Sequence, residues 1–127
     1  MPLIIVRKEE KGDCEMDKLE RYRTLIKEQI RRYVDAFNDA GNPDVQELDI
    51  FDDERGHYQW VSLGWEKGKR AFYTPLYVRL HDGKIWIEKD TTEDGIANDF
   101  VREGVPREDI VLAFHPPEMR QYTDFAA

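Results

Sequence analysis

The spacing of apolar residues predicts a long helix in the first third of the chain. Between residues 17 and 40, apolar side chains recur every three or four positions, which places them on one face of a helix. These residues are Leu19, Tyr22, Leu25, Ile26, Ile30, Tyr33, Val34 and Phe37. Asp17 and Glu20 have the spacing of a capping box, and a Gly-Asn-Pro sequence supplies a stop after residue 40. We therefore predict one amphipathic helix over residues 17–40, with its apolar stripe in the core.

From residue 45 onward the apolar period falls to two, which is typical of β-strands. Short turns separate four such stretches, at residues 45–51, 58–65, 72–80 and 84–88. On the first stretch, we expect Leu48 and Ile50 to form the buried face. Pro75 has no backbone N–H, so it predicts an edge position or a bulge in the third stretch. Asp82 and Gly83 are typical of a hairpin turn, and the region predicts an antiparallel meander.

The last third of the chain predicts a second helix followed by a return to the sheet. Thr91 or Thr92 is placed to cap this helix, and Asp94 complements its positive end. Gly104 and Pro106 end the helix, and residues 109–114 then form a short apolar strand. The apolar face of the second helix consists of Ile96, Ala97, Phe100 and Val101. The predicted fold class is α+β, with a long N-terminal helix, an antiparallel β-meander of about four strands, a second helix and a short C-terminal strand.

The composition indicates one soluble domain. The chain has 127 residues, of which 40% are hydrophobic and 12% aromatic, and this suffices for one core without a metal or a disulfide. The longest apolar run, residues 3–6, is far too short to cross a membrane, and no secretory signal follows it. Cys14 is the single cysteine and cannot form an internal disulfide. We expect a cytoplasmic protein without membrane contact and without a cofactor.

Residues 1–15 differ from the rest and are predicted to be an N-terminal extension. Its apolar part, residues 3–7, favours an edge strand, and the remainder is highly charged. The well-patterned part is a single domain over residues 16–127. Met16 could be an alternative start, since the regular pattern begins directly after it.

The charge is unevenly distributed along the chain. The net charge is −8, which disfavours direct nucleic acid binding because phosphate contacts need clustered Lys and Arg. Residues 42–56 hold six acids against one arginine. Four of these acids are candidate contacts for a basic protein partner: Asp49, Asp52, Asp53 and Glu54. The one basic stripe lies at residues 21–32, where a solvated helix face explains it better than DNA contact.

The sequence contains no catalytic or phosphate-binding motif. The acids near His57 could hold a divalent cation, although a solvated hairpin turn explains them better. His115 could act as a general base beside Asp90 or Glu93, but no nucleophile accompanies it. The alternative to a non-enzymatic protein is therefore a small-ligand or metal site built from His57, Asp90, Glu93 and His115. This alternative requires the four side chains to converge.

Aromatic residues are concentrated on the predicted strands, and they include Tyr58, Trp60, Trp65, Tyr73, Tyr77 and Trp86. One face of the sheet should pack on the helices, and rings left on the other face suit a protein interface. Stacking on nucleic acid bases is less favoured in so acidic a chain. Trp60 and Trp65 are therefore candidate contacts, either for a partner or for association into a homo-oligomer.

Seven segments of the chain match a known family in order and with similar gaps. They are residues 16–22 (MDKLERY), 52–65, 82–87 (DGKIWI), 92–97, 104–106 (GVP), 109–112 (DIVL) and 114–117 (FHPP), completed by Arg120, Tyr122, Thr123 and Phe125. In these segments, residues 16–127 resemble the fdxN element excision controlling factor XisI family. Residues 1–15 lie outside the resemblance, and Arg120 joins the candidate partner contacts.

This resemblance implies a role rather than a reaction. Members of the family are associated with developmentally programmed excision of a DNA element that interrupts a nitrogen-fixation gene in cyanobacteria. They act beside a separate site-specific recombinase and are often encoded with a second small factor, XisH, which resembles nuclease-fold proteins. The resemblance implies no catalytic residues. We therefore expect a non-enzymatic controlling factor that contacts a XisH-like partner through a sheet face or through the acidic hairpin at residues 47–54.

Overall fold

The structure, a computed structural model, describes the backbone of residues 2–127 and the side chains of residues 17–127. Its helices are α1 (Pro2–Ala40), α2 (Ile96–Arg102) and α3 (Pro117–Arg120). Its strands are β1 (Val45–Asp52), β2 (His57–Glu66), β3 (Lys69–His81), β4 (Lys84–Asp90) and β5 (Ile110–Leu112). A 3₁₀ turn at Arg107–Asp109 precedes β5.

Within residues 2–127 the strands form one five-stranded sheet in the order β1-β2-β3-β4-β5. The first four strands are antiparallel neighbours joined by short turns, and β5 pairs with β4 in parallel. A parallel neighbour needs a crossover connection, and the segment that contains α2 supplies it. These elements confirm the predicted α+β fold, including the four-strand meander and the short C-terminal strand.

The core lies between the inner face of the sheet and the two helices α1 and α2. Most of the apolar stripe of α1 is buried as predicted, with Ile26 and Ile30 fully inaccessible, but Phe37 at its C-terminal end is 51% exposed. The other fully buried apolar side chains of this layer come from the strands and from α2: Tyr58, Leu76, Val78, Ile85, Ile87, Ile96, Phe100 and Ile110. Because α1 covers only one face, the opposite face of β1–β3 is left available for contacts.

Helix α1 begins well before the predicted capping box. It runs from Pro2, so Asp17 lies inside the helix and is not its N-cap. Residues 3–7, where the sequence favours an edge strand, are helical as well. The charged residues that follow them are mostly Lys and Glu, which are good helix formers and let the helix continue. The predicted end is confirmed, since α1 ends at Ala40.

Pro75 lies in a central strand, so the predicted edge position is wrong and the predicted bulge is confirmed. The register between β2 and β3 shifts beyond Trp60, which pairs with Leu76, to Ser62, which pairs with Tyr73. At this bulge two residues of β3, Thr74 and Pro75, face the single residue Val61 of β2, so Pro75 does not interrupt a regular ladder. The Pro75 carbonyl oxygen remains available as an acceptor and is used by the loop after β4.

The cap of α2 also differs from the prediction. The helix begins at Ile96, so neither Thr91 nor Thr92 is its N-cap. Instead, Asp90 Oδ2 accepts a hydrogen bond from the Ile96 backbone N–H at 2.7 Å. The carboxylate thus reaches one of the unpaired N–H groups of the first turn from six residues upstream. A loop at residues 91–95 is inserted between the capping carboxylate and the helix, and this loop borders the site described below.

The C-terminal end of α2 confirms the predicted stop. The Val105 N–H bonds to the Phe100 carbonyl, and the Gly104 N–H bonds to the Val101 carbonyl, each at 3.0 Å. These two bonds define a Schellman motif, in which Gly104 adopts a φ of 96°. Val105 is 2% exposed and Phe100 is fully buried, so the end of the helix is held by the core as well as by the backbone.

Candidate functional site

A cleft of about 430 Å³ opens on the inner side of the sheet, between α1 and the loop at residues 91–95. Helix α1, strand β2, the bulge of β3 and this loop each contribute to it. Its lining residues are Tyr33, Phe37, Trp60, Ser62, Tyr73, Pro75, Thr91, Thr92, Glu93 and Asp94. We call this cavity the aromatic cleft, because four of its walls are aromatic rings.

The rings of the aromatic cleft pack against Trp60. Tyr33 stacks nearly parallel to it, with centroids 6.0 Å apart and an interplanar angle of 13°, and Phe37 meets it edge-on at 4.8 Å. Trp60 itself is 3% exposed, whereas Phe37 and Tyr73 are each 51% exposed. Trp60 therefore forms a fixed floor, and the two half-exposed rings stand at the opening.

A buried carboxylate lies behind this floor. Glu47 on β1 is 9% exposed, and its Oε1 accepts hydrogen bonds from Trp60 Nε1 at 2.7 Å and from Ser62 Oγ. The Asn38 side-chain amide bonds to the Glu47 backbone N–H and C=O at 3.0 and 2.9 Å, which fixes β1 against α1. Leu48 and Ile50, predicted to face the core, therefore point to the other side of the sheet, and Ile50 is 45% exposed.

The loop that borders the cleft is held by its own residues. Asp90 Oδ1 accepts hydrogen bonds from the Thr92 backbone N–H at 2.8 Å and from Thr92 Oγ1 at 2.5 Å. Thr91 donates from its backbone N–H and from Oγ1 to the Pro75 carbonyl oxygen, at 3.0 and 2.9 Å. These bonds leave Glu93 and Asp94 exposed at the rim of the cleft.

The outer face of β1–β3 carries a second feature, an apolar patch of five residues. In this outer patch, Leu63 and Trp65 of β2 lie beside Phe72 of β3, which pairs with Leu63, while Leu48 and Ile50 of β1 lie farther along the same face, opposite Val61 and Gln59. Trp65 is 57% exposed and Phe72 is 66% exposed. The guanidinium of Arg70 lies over both rings, at 5.6 and 5.8 Å from their centroids.

The predicted acidic contacts lie on or beside the β1–β2 turn and are largely paired within the chain. The ion pairs are Asp49 with Arg31 at 3.4 Å, Asp52 with Arg55 at 3.2 Å and Asp53 with Lys27 at 2.9 Å. Asp53 also accepts a hydrogen bond from Tyr58 Oη, and a hydrogen bond from Lys27 lowers its pKa against the cost of desolvation. Glu54 is exposed in the turn. The hairpin therefore presents less free negative charge than its sequence indicates.

The structure does not bring His57, Asp90, Glu93 and His115 together. His57 lies at the start of β2, where its Nδ1 is 2.7 Å from Tyr77 Oη, and Asp90 lies at the end of β4. His115 follows the edge strand β5, two strands beyond β3 and three beyond the β2 strand of His57. Only Asp90 and Glu93 share a loop. In the part of the chain with described side chains, no three His, Cys, Asp or Glu residues could hold a metal ion.

Arg120 lies on the outer face of β4 and β5, where its contacts are within the chain. Its Nε donates to the His115 carbonyl oxygen at 3.0 Å, and its guanidinium lies 5.7 Å from the ring centroid of Trp86. The guanidinium of Arg79 lies over the same ring at 5.5 Å. Arg120 thus attaches the C-terminal segment to the sheet, in agreement with the backbone bridge between Val111 and Ala126.

Tyrosine–carboxylate hydrogen bonds join α1 to the α2 region. Tyr22 Oη donates to Asp109 Oδ2 at 2.5 Å, and Lys18 Nζ lies 2.9 Å from the same oxygen. Burial alone would raise the pKa of Asp109, but the hydrogen bonds from Tyr22 and Lys18 outweigh it and keep the pKa below its usual value. Tyr33 Oη donates to Asp99, and its burial together with this bond raises the pKa of Tyr33 to about 12.

The Asp109 contact predicts a pH-dependent stability. A carboxyl group whose pKa is lowered by folding contributes stability above its unfolded pKa of about 4, and this contribution is lost as the pH falls through the folded pKa. Asp109→Asn should therefore lower the free energy of unfolding by about 1–2 kcal/mol at pH 7. Urea unfolding at a series of pH values should show that the difference in the free energy of unfolding between the parent and the variant becomes smaller below about pH 4. Asp124→Asn, at an exposed residue, is the control, and a pH-independent difference for Asp109→Asn would contradict the assignment.

No helix in the part of the chain that the structure describes is long and apolar enough to cross a membrane.

The sequence matches the family model described as XisI protein over residues 16–127. The chain belongs to the XisI family. The match covers nearly the whole chain and confirms the resemblance found in the sequence. Residues 1–15 lie outside the match. The XisI match includes every residue of the aromatic cleft, the outer patch and the acidic hairpin.

Two solved structures of Anabaena variabilis ATCC 29413 are similar to this XisI family member. One is a XisI-like protein with 38% sequence identity and a TM-score of 0.80; the match covers 86% of this chain and 98% of that chain. The other is the fdxN element excision controlling factor XisI, with 41% identity and a TM-score of 0.75; the match covers 86% of this chain and 97% of that chain. No curated protein matches the chain.

The aromatic cleft and the buried Glu47 were missed by the sequence reasoning. Trp60 was a candidate contact, but its partner Glu47 was counted with the acids of a solvated hairpin. One signal was available: Glu47 lies on the same strand face as the apolar residues Val45 and Phe51, because even spacing along a strand keeps residues on one face. Charged residues are rarely buried, so this signal is weaker than the apolar pair Leu48 and Ile50.

Proposed function

We propose that this chain is an accessory factor that controls the excision of a DNA element by contacting another protein, without chemistry of its own. Family membership supports this role, because a similar structure is that of the fdxN element excision controlling factor XisI. A factor that acts on a chromosomal element would work in the cytoplasm. The partner we propose is a XisH-like factor.

The outer patch carries this proposal. Two exposed aromatic rings, Trp65 and Phe72, and an arginine over them lie on a sheet face that α1 and α2 do not cover. Trp, Tyr and Arg dominate the energetically important residues of protein interfaces. Leu63 lies beside Phe72, and Leu48 and Ile50 continue the apolar surface along the same face of the sheet, as the core of an interface requires.

The outer patch is a better candidate than the acidic hairpin. Asp49, Asp52 and Asp53 already pair with cations of this chain, so a basic partner would have to compete with those pairs. The same pairs weaken the idea of DNA contact through the basic stripe of α1. Lys27 and Arg31 of that stripe are engaged with hairpin carboxylates, and few free cations remain to neutralise phosphates.

We expect the double substitution Trp65→Ser and Phe72→Ser to weaken binding to the XisH-like factor by about tenfold or more, because central aromatic residues carry much of the binding energy. Both side chains are more than half exposed, so the folded state should persist. Titration calorimetry of the purified pair measures the effect. An apolar interface also predicts affinity that changes little between low and high salt.

The matched control is Tyr122→Ser, which removes a ring that is 77% exposed outside the outer patch. A further variant, Asp52→Asn with Glu54→Gln, tests the hairpin. If it weakens binding more than the patch variant does, or if binding disappears at high salt, the hairpin is the contact instead. Sedimentation of the chain alone shows whether the outer patch is used for self-association.

A further inference from the structure

The rings of the aromatic cleft differ from other rings of this chain in their cation contacts. On six rings elsewhere, a Lys or Arg of the chain itself lies 5.1–5.8 Å from the ring centroid. Within residues 17–127, no such contact is made by the four cleft rings: Tyr33, Phe37, Trp60 and Tyr73. A cation placed over these ring faces would therefore have to come from another molecule.

The charged groups of the aromatic cleft are all negative. Glu93 and Asp94 stand exposed at the rim, and neither forms an ion pair within the described side chains. Behind the floor, the Glu47 carboxylate contacts both Trp60 and Ser62. The lining contains no Lys or Arg. The electrostatic potential in the cleft therefore favours a positive ligand and opposes a negative one.

Cations of the chain itself lie nearby but are engaged elsewhere. Arg32 and Arg102 line a neighbouring groove that shares Tyr33 and Asp94 with the cleft. Arg102 pairs with Asp99, and Arg32 donates to Gln29. Neither reaches the carboxylates at the rim of the cleft, so these groups are available to a ligand.

We propose that the aromatic cleft binds an organic cation, an ammonium or guanidinium group carried on a short apolar stem. Aromatic faces attract such cations, and carboxylates at the rim add a charge contact that a neutral ligand cannot use. A volume of about 430 Å³ accommodates a group of this size. A metal ion does not fit, because it needs converging ligands that residues 17–127 do not provide. The cation can belong to a free small molecule or to a basic side chain of a protein.

Titration of the ¹⁵N-labelled full chain with three probes tests the charge requirement and the source. The probes are N-acetyl-arginine amide, its neutral analogue N-acetyl-citrulline amide, and methylguanidinium. We expect the indole N–H signal of Trp60 to shift with the first probe, with a dissociation constant on the order of 1 mM. The citrulline probe should bind at least about tenfold more weakly. Tighter binding of the arginine probe than of methylguanidinium indicates a peptide-borne cation, and equal binding indicates a small molecule.

Variants locate the site. Glu93→Gln with Asp94→Asn removes the two charges at the rim, and Tyr73→Leu removes a half-exposed ring. Each variant should bind the arginine probe at least about fivefold more weakly. The matched controls are Glu118→Gln with Asp124→Asn, and Tyr122→Leu, at exposed residues outside the cleft lining. The controls should leave the affinity unchanged, and a dispersed amide spectrum confirms that each variant is folded.

Three results would overturn the proposal. They are equal binding of the arginine and citrulline probes, shifts confined to the indole signals of Trp65 and Trp86, and unchanged affinity in both cleft variants. The outer patch lies on the opposite face of the sheet from the cleft. Loss of partner binding in the Trp65 and Phe72 variant therefore leaves this titration unaffected, and the two proposals fail independently.

Discussion

Phe100→Ala is expected to lower the free energy of unfolding by about 3–5 kcal/mol. Phe100 is fully buried on α2, where it packs in the core beside Ile96 and holds the C-terminal turn of the helix through Val105. Its removal leaves a cavity and withdraws the apolar contact of the Schellman motif. Because small domains are stable by only about 5–15 kcal/mol, this single change removes a large fraction of the total.

Urea unfolding followed by circular dichroism measures this loss as a lower midpoint with an unchanged slope. Phe72→Ala is the matched control, because the same side chain is removed where it is 66% exposed. Its effect should stay within about 0.5 kcal/mol. If the two substitutions cost the same, the placement of Phe100 in the core is wrong.

Glu47→Ala is expected to destabilise the fold by about 2–3 kcal/mol, although it removes a charged residue from a strand. Trp60 Nε1 and Ser62 Oγ both donate to Glu47 Oε1, and the substitution leaves these two buried donors without their acceptor. An unsatisfied buried donor costs more than the net value of the bond it lost. Thermal and urea unfolding both report the change.

Glu47→Gln is the conservative control: both bonds go to Oε1, and an amide oxygen, with its two lone pairs, can still accept both, so most of the stability should be retained. A double-mutant cycle with Ser62→Ala separates the bond from the general effect of the substitution. Additive losses in the cycle, or a Glu47→Ala variant as stable as the parent, would show that this carboxylate does not anchor β1.

Much of the fold was predictable because apolar periodicity and turn residues act locally. The stripe of α1, the hairpin turn at Asp82 and Gly83 and the stop at Gly104 depend on residues close in sequence. The cap of α2 could not be predicted from local sequence. Thr91 and Thr92 are plausible caps for a helix in isolation, but Asp90 reaches Ile96 across a loop whose shape depends on the bulge at Pro75.

The sites were less predictable than the fold, because each combines residues from separate strands. The hairpin acids were read as free charge, yet their partners Lys27 and Arg31 come from α1. The choice of face for β1 is a similar case. Leu48 and Ile50 favour burial locally, but the contacts of Glu47 with Trp60, Ser62 and Asn38 place them on the outer face.

The sequence alone determined the order of the main elements, the α+β class and the XisI family, because these follow from local patterns and from segments that match the family in order. Only the tertiary structure decided which side chains meet. It buried a glutamate behind Trp60, surrounded a cleft with four aromatic rings and left Trp65 and Phe72 on an uncovered face. The physical reason is that burial and charge pairing depend on neighbours distant in sequence, which no local pattern specifies.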